Sequence, residues 1–355
     1  LSGTYTVGGS GANYSTPAVA LSALNSSGIC GPVVFNIRPG TYSGQLQFGP
    51  INGSSSTNTI TFQADPANTA AATIEYSSNT LYFNGMEYVT IKGLTIKGTG
   101  SSHRIYFNKL GTKTVLDSNS IIGYYTSSNS TNYTVIRGVT TADYGNLTLK
   151  NNLIQYGSNG MYLTGYSASI SSGLTIENNT FKDFYRYGMY IDYNNEMVIE
   201  GNTIEDRSNS YDIIGIYLYR CHNLDRIAGN IIIGKTTRSS IGIYLNDCQG
   251  SSSDRAMVYN NSISLTRTSS VNQSGINSYY STNTTIAFNS INLQSTYTSS
   301  YGIYAYQGNE IHLYNNNVAV NYGYALYTNS TSNIDASNYN NWYKKVSYLA
   351  YWAGN

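Results

Sequence analysis

The residues best suited to chemistry in this chain are acidic side chains concentrated in its middle part. Of the 18 Asp and Glu residues, eleven lie between Glu177 and Asp254. Paired carboxylates cleave glycosidic bonds as acid and as nucleophile or base, and clustered carboxylate oxygens bind calcium. This acidic zone, residues 177–254, is therefore compatible with the hypothesis that the protein is an enzyme acting on polysaccharides.

A repeated tetrapeptide indicates which of these acidic residues lie close together in space. Gly215-Ile216-Tyr217-Leu218 recurs with its glycine at positions 160, 188, 242 and 302, and in a weaker form at 275. The steps between successive glycines are 28, 27, 27, 33 and 27 residues. A period of about 20–50 residues is typical of stacked-repeat proteins, in which equivalent positions of neighbouring repeats lie side by side.

A second motif runs in phase with the first. Short segments that alternate apolar and polar residues, such as Leu174-Thr175-Ile176, are followed by an asparagine at a turn. Alternation predicts strands with one buried face, and asparagine tolerates the left-handed backbone of a tight corner. We predict that these asparagines stack into a ladder that satisfies buried turn groups, at Asn119, Asn152, Asn179, Asn202, Asn230, Asn261, Asn289 and Asn316.

Two interlocked motifs in each period predict an all-β fold, a right-handed parallel β-helix with about ten coils. The N-terminal part differs, because Thr16-Pro17 predicts the start of a helix over residues 18–24 between two strands. We predict one continuous domain with three parts. Residues 1–58 form a strand–helix–strand cap with the first coil, residues 59–335 form the coils, and residues 336–355 form an aromatic C-terminal cap.

Composition excludes several classes of protein. Charged residues make up 10% of the chain and the net charge is +1, which argues against nucleic-acid binding, and no apolar run is long enough to cross a membrane. Three cysteines cannot form a complete set of internal disulfides. Cys248 follows Cys221 by one repeat, so the two should stack, either as free thiols or as a disulfide.

The alignment of the repeats predicts which charged residues of the acidic zone lie side by side in neighbouring coils. Counted from the repeat glycines, Tyr193, Arg220 and Asp247 share one column, which predicts an exposed ion pair between Arg220 and Asp247. Asp192 aligns with uncharged residues instead. We therefore predict no catalytic residue, no metal site and no cofactor. Under the enzyme alternative the site residues are Asp192, Arg220 and Asp247, and calcium is the cofactor only if the enzyme is a lyase.

The tyrosines of the tetrapeptide point to a different kind of site. Alternation turns Ile216 and Leu218 inward and Tyr217 outward, so the equivalent tyrosines should form one outward column. Such a column can be cross-strand packing alone, or an aromatic strip that stacks on sugar rings or on another protein. The predicted ligand-binding residues are Tyr162, Tyr190, Tyr217, Tyr244 and Tyr304.

A family resemblance supports the predicted fold. Asn36-Ile37-Arg38-Pro39-Gly40-Thr41-Tyr42, which follows Cys30-Gly31-Pro32-Val33, and the coils that end in asparagine resemble the pectate-lyase-like right-handed β-helix superfamily. More narrowly, they are similar to large secreted and cell-surface proteins of bacteria that export cargo by the type IX route, some of which are adhesins. The superfamily contains lyases, hydrolases, epimerases and inert fibres, so the resemblance implies the fold and leaves activity open.

These observations lead to one expectation and two alternatives. We expect an extracellular or cell-surface β-helix that serves as a structural or adhesive module of a larger bacterial protein. Its partners would be polysaccharide or other surface proteins, bound through the tyrosine column, and neither nucleic acid nor the membrane interior. The first alternative is a lyase or hydrolase of acidic polysaccharide with its site in the acidic zone. The second is self-association into a filament.

Overall fold

Three long parallel sheets wrap around one continuous core. The computed structural model describes residues 1–139, 144–168, 170–207, 210–236, 238–266, 270–346 and 348–353. In this part of the chain each strand of a sheet pairs in parallel with its equivalent in the next coil. The result is the predicted right-handed parallel β-helix, with very little helix and about 13 turns.

The strands follow one another from sheet to sheet along the chain. The first sheet contains Gly3–Val7, Val33–Ile37, Ile60–Ala64, Val89–Lys92, Thr114–Asp117, Leu147–Lys150, Thr175–Glu177, Val198–Glu200, Arg226–Ala228, Ala256–Tyr259, Thr282–Ala287, Asn309–Tyr314 and Ile334–Asn338. The second contains Gly40–Ser43, Ala72–Tyr76, Thr95–Gly98, Ser120–Ile122, Leu153–Gln155, Thr180–Phe184, Thr203–Asp206, Ile231–Gly234, Ser262–Leu265, Ser290–Leu293, Asn317–Val320 and Asn341–Lys344. The third contains Leu46–Phe48, Leu81–Asn84, Ile105–Lys109, Ile136–Gly138, Asn159–Leu163, Tyr187–Asp192, Ile213–Tyr219, Ser240–Asn246, Gln273–Tyr279, Tyr301–Tyr306, Tyr324–Thr328 and Ala350–Trp352. A small additional sheet pairs Ser171–Ser172 with Asn194–Asn195.

The predicted number of about ten coils is too low. The first coils carry neither the repeat glycine nor the turn asparagine, yet Val33–Ile37 and Ile60–Ala64 already pair in register. Their buried side chains include Phe35 and Phe62, whose rings lie 4.7 Å apart and tilted by 31°. Phenylalanine thus takes a core position that later coils fill with aliphatic residues, which is why the repeat motifs alone undercounted the coils.

The N-terminal helix spans Pro17–Ser27. The Thr16 side chain caps it by accepting the Val19 backbone N–H, and proline occupies the first turn, where its missing N–H has no cost. The helix ends at Gly28, whose φ of 63° favours glycine. Its buried face, which includes Leu21 and Leu24, belongs to the same core as the coils. No helix in the described ranges is both long and apolar enough to cross a membrane.

The C-terminal segment continues the coils instead of leaving them. Val318 pairs with Trp342 in the second sheet, and Thr328 pairs with Trp352 in the third. Both tryptophans are partly buried against the core. The predicted cap at residues 336–355 is therefore also a last coil, in which tryptophans take positions held elsewhere by smaller residues; residues 347, 354 and 355 lie outside the described ranges.

The repeat glycine is required by the close approach of neighbouring coils. A Cβ atom at Gly215 would lie 2.7 Å from the carbonyl oxygen of Gly242 and 2.8 Å from Cγ2 of Ile232. Both distances are shorter than ordinary van der Waals contact. Glycine at this position lets the third sheet pack against the second, and it sets the Ile and Leu that follow into the core, where Ile216 and Leu218 are 0% exposed.

The eight predicted asparagines form one hydrogen-bonded ladder. In a typical rung, Asn202 Nδ2 donates to Asn230 Oδ1 at 3.0 Å and to the Ile176 carbonyl at 2.8 Å. The Asn202 backbone N–H donates to the same Asn230 oxygen at 3.0 Å. These side chains are 0–2% exposed, and the ladder continues to Asn340. The ladder thereby satisfies the buried polar groups at the turns between the first and second sheets without water.

Removing one rung should destabilise the protein. Asn316→Ala deletes the acceptor of the Asn289 N–H and Nδ2 groups and the donor to the Ile286 carbonyl. Each buried polar group left unsatisfied costs about 1–3 kcal/mol, so we expect a loss of ~3 kcal/mol or more in the free energy of unfolding. Urea unfolding followed by circular dichroism measures it. The neighbouring exposed Asn317→Ala is the matched control and should cost less than about 1 kcal/mol; equal effects would contradict the ladder.

Candidate functional site

The tyrosine column extends along almost the whole third sheet. Strand pairing places twelve residues in one outward column, of which nine are tyrosines. The five predicted residues are all in this column, and sequence reasoning missed four others. In chain order the positions are Gln47, Tyr82, Tyr106, Arg137, Tyr162, Tyr190, Tyr217, Tyr244, Asn277, Tyr304, Tyr327 and Tyr351.

The rings of this tyrosine column stack on one another. Tyr162 and Tyr190 have centroids 4.1 Å apart and an interplanar angle of 11°, and Tyr217 and Tyr244 lie 4.8 Å apart at 10°. At the far end Tyr327 and Tyr351 lie 4.7 Å apart at 8°. Offset stacking of this kind covers much of each ring face with its neighbour. The column therefore presents ring edges and hydroxyl groups to solvent.

This arrangement corrects one part of the sequence interpretation. A flat strip that stacks on sugar rings needs exposed ring faces, whereas most faces in the column are occupied by the next tyrosine. The alternation of the strand predicts outward side chains but not the rotation of their rings. The ring planes are decided by the spacing between coils, about 4.8 Å, which favours packing of each ring on the next.

The stack changes to an edge-to-face contact between Tyr190 and Tyr217, whose centroids lie 5.0 Å apart at 84°, and two other residue types interrupt the run of tyrosines. At the first, the guanidinium of Arg137 lies over the Tyr162 ring, with Cζ 4.7 Å from the centroid, and covers it. At the second, Asn277 stands between Tyr244 and Tyr304. Its short side chain leaves the facing sides of the two tyrosines without a stacking partner in the column. Outside the column, Tyr279 approaches Tyr244 edge-on at 6.3 Å, and Tyr301 and Tyr306 lie 4.8 and 5.7 Å from Tyr304. We name this gap the Asn277 notch, lined by Tyr244, Asn277, Tyr279 and Tyr304.

The notch combines ring faces with a polar floor. Two stacked coils separate Tyr244 from Tyr304, which is about 9–10 Å at the usual strand spacing. Ser274 Oγ donates to Asn277 Oδ1, so the Nδ2 donors of Asn277 face no described partner. Burial raises the pKa of Tyr244 to about 12, which keeps its hydroxyl protonated near neutral pH. The notch can therefore accept a ring on aromatic faces and donate hydrogen bonds to it.

The three residues of the enzyme alternative do not come together. Arg220 Nε lies 3.1 Å from Asp247 Oδ2, and Arg220 Nη1 donates to the Tyr193 hydroxyl at 2.6 Å. This is a half-exposed corner of the rod. Asp192 is only 8% exposed and has separate contacts: it accepts the Gly165 N–H, and the Tyr190 hydroxyl lies 3.4 Å from its Oδ2. None of these contacts joins Asp192 to Arg220 or Asp247.

Burial makes Asp192 a weaker acid than usual. Desolvation raises the pKa of this carboxyl to about 6, against the lowering effects of the Gly165 N–H, the Tyr190 hydroxyl and the Arg137 charge. A raised carboxyl pKa is common at active sites. It also follows simply from placing a carboxyl against the tyrosine column, and no second acid faces it in the described contacts.

Asp192 should make stability depend on pH. The carboxyl ionises near pH 4 in the unfolded chain and near pH 6 in the folded protein, so its contribution is complete below about pH 4 and is lost as the pH rises through about 6. Asp192→Asn keeps an oxygen acceptor and removes the titration. The stability of the variant relative to wild type should therefore rise from pH 4 to pH 7, measured by urea unfolding at each pH. A difference that stays constant would contradict this assignment.

The structure thus defines a right-handed parallel β-helix whose third sheet carries an aromatic column with one notch. The chain belongs to the family described as periplasmic copper-binding protein (NosD), whose family model matches residues 41–355. A search of curated proteins found no match to the chain.

Solved structures with the same fold include an enzyme and an adhesin. The GH136 lacto-N-biosidase from Eubacterium ramulus is 10% identical, with a TM-score of 0.54 over 98% of this chain and 67% of that one. PfbA, a surface adhesin of Streptococcus pneumoniae, is 14% identical, with a TM-score of 0.50 over 93% of this chain and 89% of that one. Identities this low show the fold alone.

The side chains described do not fit a copper site. Copper in proteins is held by imidazole, thiolate and thioether ligands. Among the described residues, no group of three or more His, Cys, Asp or Glu side chains could hold a metal ion. Cys221 and His222 are adjacent, but burial raises the pKa of the Cys221 thiol and favours the protonated form, which is not a ligand.

Cys221 and Cys248 are stacked free thiols in the core. Both are 0% exposed, and their Sγ atoms contact the carbonyl oxygens of Ile191 and Leu218 at 3.5 and 3.6 Å. Cys30 is exposed. A thiol reagent such as Ellman's should therefore react quickly with one cysteine in the native protein and with all three after unfolding without reductant. A single reactive thiol after unfolding would mean that the buried pair is bridged.

Proposed function

We propose that this protein is a non-catalytic β-helix module that binds carbohydrate through the third sheet, with the Asn277 notch as its main subsite. The observation that carries the proposal is the occupation of nine of twelve outward positions in one sheet column by tyrosine. Packing alone does not require tyrosine at every coil, because the side chains are only half-buried.

Further tyrosines widen the surface on both sides of the column. Tyr301 and Tyr324 occupy positions before it, and Tyr219, Tyr279 and Tyr306 occupy positions after it. Tyrosine hydroxyls act as donors and acceptors, and some in the column are already engaged: Asn246 Nδ2 donates to Tyr217 Oη at 3.0 Å, and the Tyr190 hydroxyl donates to Asp192. Hydroxyl groups repeated at each coil, about 4.8 Å apart, match a polymer whose own hydroxyls repeat along an extended chain.

The setting of this module is part of the same proposal. The family is described as periplasmic and PfbA as a surface adhesin, and both descriptions place similar proteins outside the cytoplasm. We infer a position outside the cytoplasm here also, on the cell surface or in the extracellular space, as part of a larger bacterial protein. Export by the type IX route belongs to this hypothesis and rests on the resemblance of residues 30–42 alone.

Binding to immobilised polysaccharides tests the proposal. A glycan array probed with the purified protein should give positive features, and isothermal titration with a positive oligosaccharide should give the affinity. Tyr244→Ala and Tyr304→Ala each remove one ring face of the notch, and each should weaken binding about tenfold, or ~1.4 kcal/mol. Tyr343→Ala is the control, because Tyr343 is exposed on the second sheet, and it should leave binding unchanged.

The same material separates the proposal from its enzyme alternative. Cleavage of an acidic polysaccharide, with or without calcium, that disappears in Asp192→Asn or Asp247→Asn would overturn a non-catalytic function. Absence of binding to every polysaccharide on the array would overturn carbohydrate recognition. If the protein instead forms filaments, sedimentation at high concentration would show assembly that the Tyr244→Ala and Tyr304→Ala variants weaken.

A further inference from the structure

A polar cleft lies beside the first coils, on the flank of the third sheet. It has a volume of about 450 Å³, within the range of about 300–1,000 Å³ usual for small-molecule sites. Its lining contains no acidic residue, lysine or arginine. The lining residues are Ser78, Asn79, Ser101, Ser102, His103, Tyr106, Asn132 and Tyr133.

A buried arginine lies behind the loop that lines one side of this cleft. Arg104 is 1% exposed, and its guanidinium donates to the carbonyls of Gly100 at 2.7 Å, Ser102 at 2.8 Å and Ile122 at 2.9 Å. These charge-assisted bonds hold the loop that carries Ser101, Ser102 and His103. Each of its three nitrogens donates to a backbone oxygen, so the arginine holds the loop in place and is not part of the cleft lining.

His103 has a defined tautomer. Its Nδ1 lies 2.8 Å from the Thr134 carbonyl oxygen, which can only accept, so Nδ1 carries the proton and Nε2 is left as an acceptor. Burial, together with the charges of Arg137 and Arg104, lowers the pKa of His103 to about 4. The imidazole is therefore neutral at pH 7. No described residue bonds Nε2, which leaves this nitrogen for a hydroxyl donor from a ligand.

Aromatic rings complete the cleft. The His103 ring stacks on Tyr106 at 5.5 Å and 25°, and Tyr106 stacks on Tyr82 at 5.5 Å and 10°. On the opposite wall Tyr133 stacks on Tyr124 at 5.8 Å. The cleft thus combines ring edges, hydroxyl and amide groups and one neutral acceptor, and no side chain in its lining is charged at pH 7.

We propose that this cleft binds a single neutral saccharide ring, with His103 Nε2 accepting a hydroxyl proton and the Ser and Asn side chains bonding the other hydroxyls. Uncharged polar walls with a few aromatic surfaces suit a polyhydroxylated ring and suit neither an anion nor a cation. The cleft is separate from the Asn277 notch, and the inference stands whether or not the notch binds carbohydrate.

Nitrogen-15 NMR of the histidine rings tests the proposal in the full chain. The protein has only three histidines, so the Nε2 resonance of His103 can be followed during titration with neutral mono- and disaccharides and with glucuronate. We expect the His103 Nε2 signal to shift with neutral sugars, to shift little with glucuronate, and to be the only histidine signal that moves. No shift with any neutral sugar at tens of millimolar, or a preference for glucuronate, would overturn the assignment.

Variants separate a ligand role from a structural one. His103→Asn keeps an N–H donor near Thr134 and removes the Nε2 acceptor, so the fold should persist and affinity should fall about tenfold. His103→Gln, whose side chain reaches the Nε2 position with an oxygen, should restore part of it. His312→Asn is the control, since His312 pairs with Asp335 on the first sheet. Tyr244→Ala should leave this site intact, so failure here and failure of the notch can be told apart. Unchanged affinity in His103→Asn would overturn the proposal.

Discussion

The stacking of parallel coils one strand spacing apart is the constraint on which the rest of this structure depends. At about 4.8 Å, each side chain lies beside the residue at the same position in the coils above and below. A residue type is therefore acceptable at a position only if it can pack against itself or against whatever the next coil places there. The columns of asparagine, glycine and tyrosine described above each satisfy this condition.

Different columns meet the condition with different physics. Asparagine succeeds at the corners because its amide is both donor and acceptor, so identical residues bond each other from rung to rung. Glycine succeeds where backbones approach too closely for a Cβ. Carboxylates do not stack well, and the one aligned pair in the first sheet, Glu177 and Glu200, is relieved by Arg226, whose Nε lies 2.7 Å from Glu200 Oε2. This disfavours the carboxylate cluster that the enzyme alternative requires.

The same condition links the tyrosine column to its proposed role. Contacts between neighbouring rings, stacked in most pairs and edge-to-face between Tyr190 and Tyr217, stabilise the column by about 0.5–1.5 kcal/mol per pair and cover much of the ring faces. Recognition by ring faces is then possible only where the stack is broken. Arg137 covers the Tyr162 ring at one interruption of the column. The gap at Asn277 is therefore the place where ring faces are left for a ligand. The repeat that departs most from the tetrapeptide, Gly275-Ile276-Asn277-Ser278, therefore forms the proposed binding site on this surface.

The sequence by itself determined the periodic part of the fold, because the period of the motifs and the alternation within them are local properties. Register followed from counting residues, so the asparagine ladder and the Arg220–Asp247 neighbourhood could be derived without coordinates. The number of coils could not be derived in this way. Phe35, Phe62 and Trp342 take the place of the repeat residues, while the parallel pairing between strands of neighbouring coils continues. The tertiary structure alone decided the ring orientations in the tyrosine column, the separation of Asp192 from Arg220, and the cleft around His103. Each depends on side-chain rotation or on contacts between loops of different coils, which no spacing along the chain encodes.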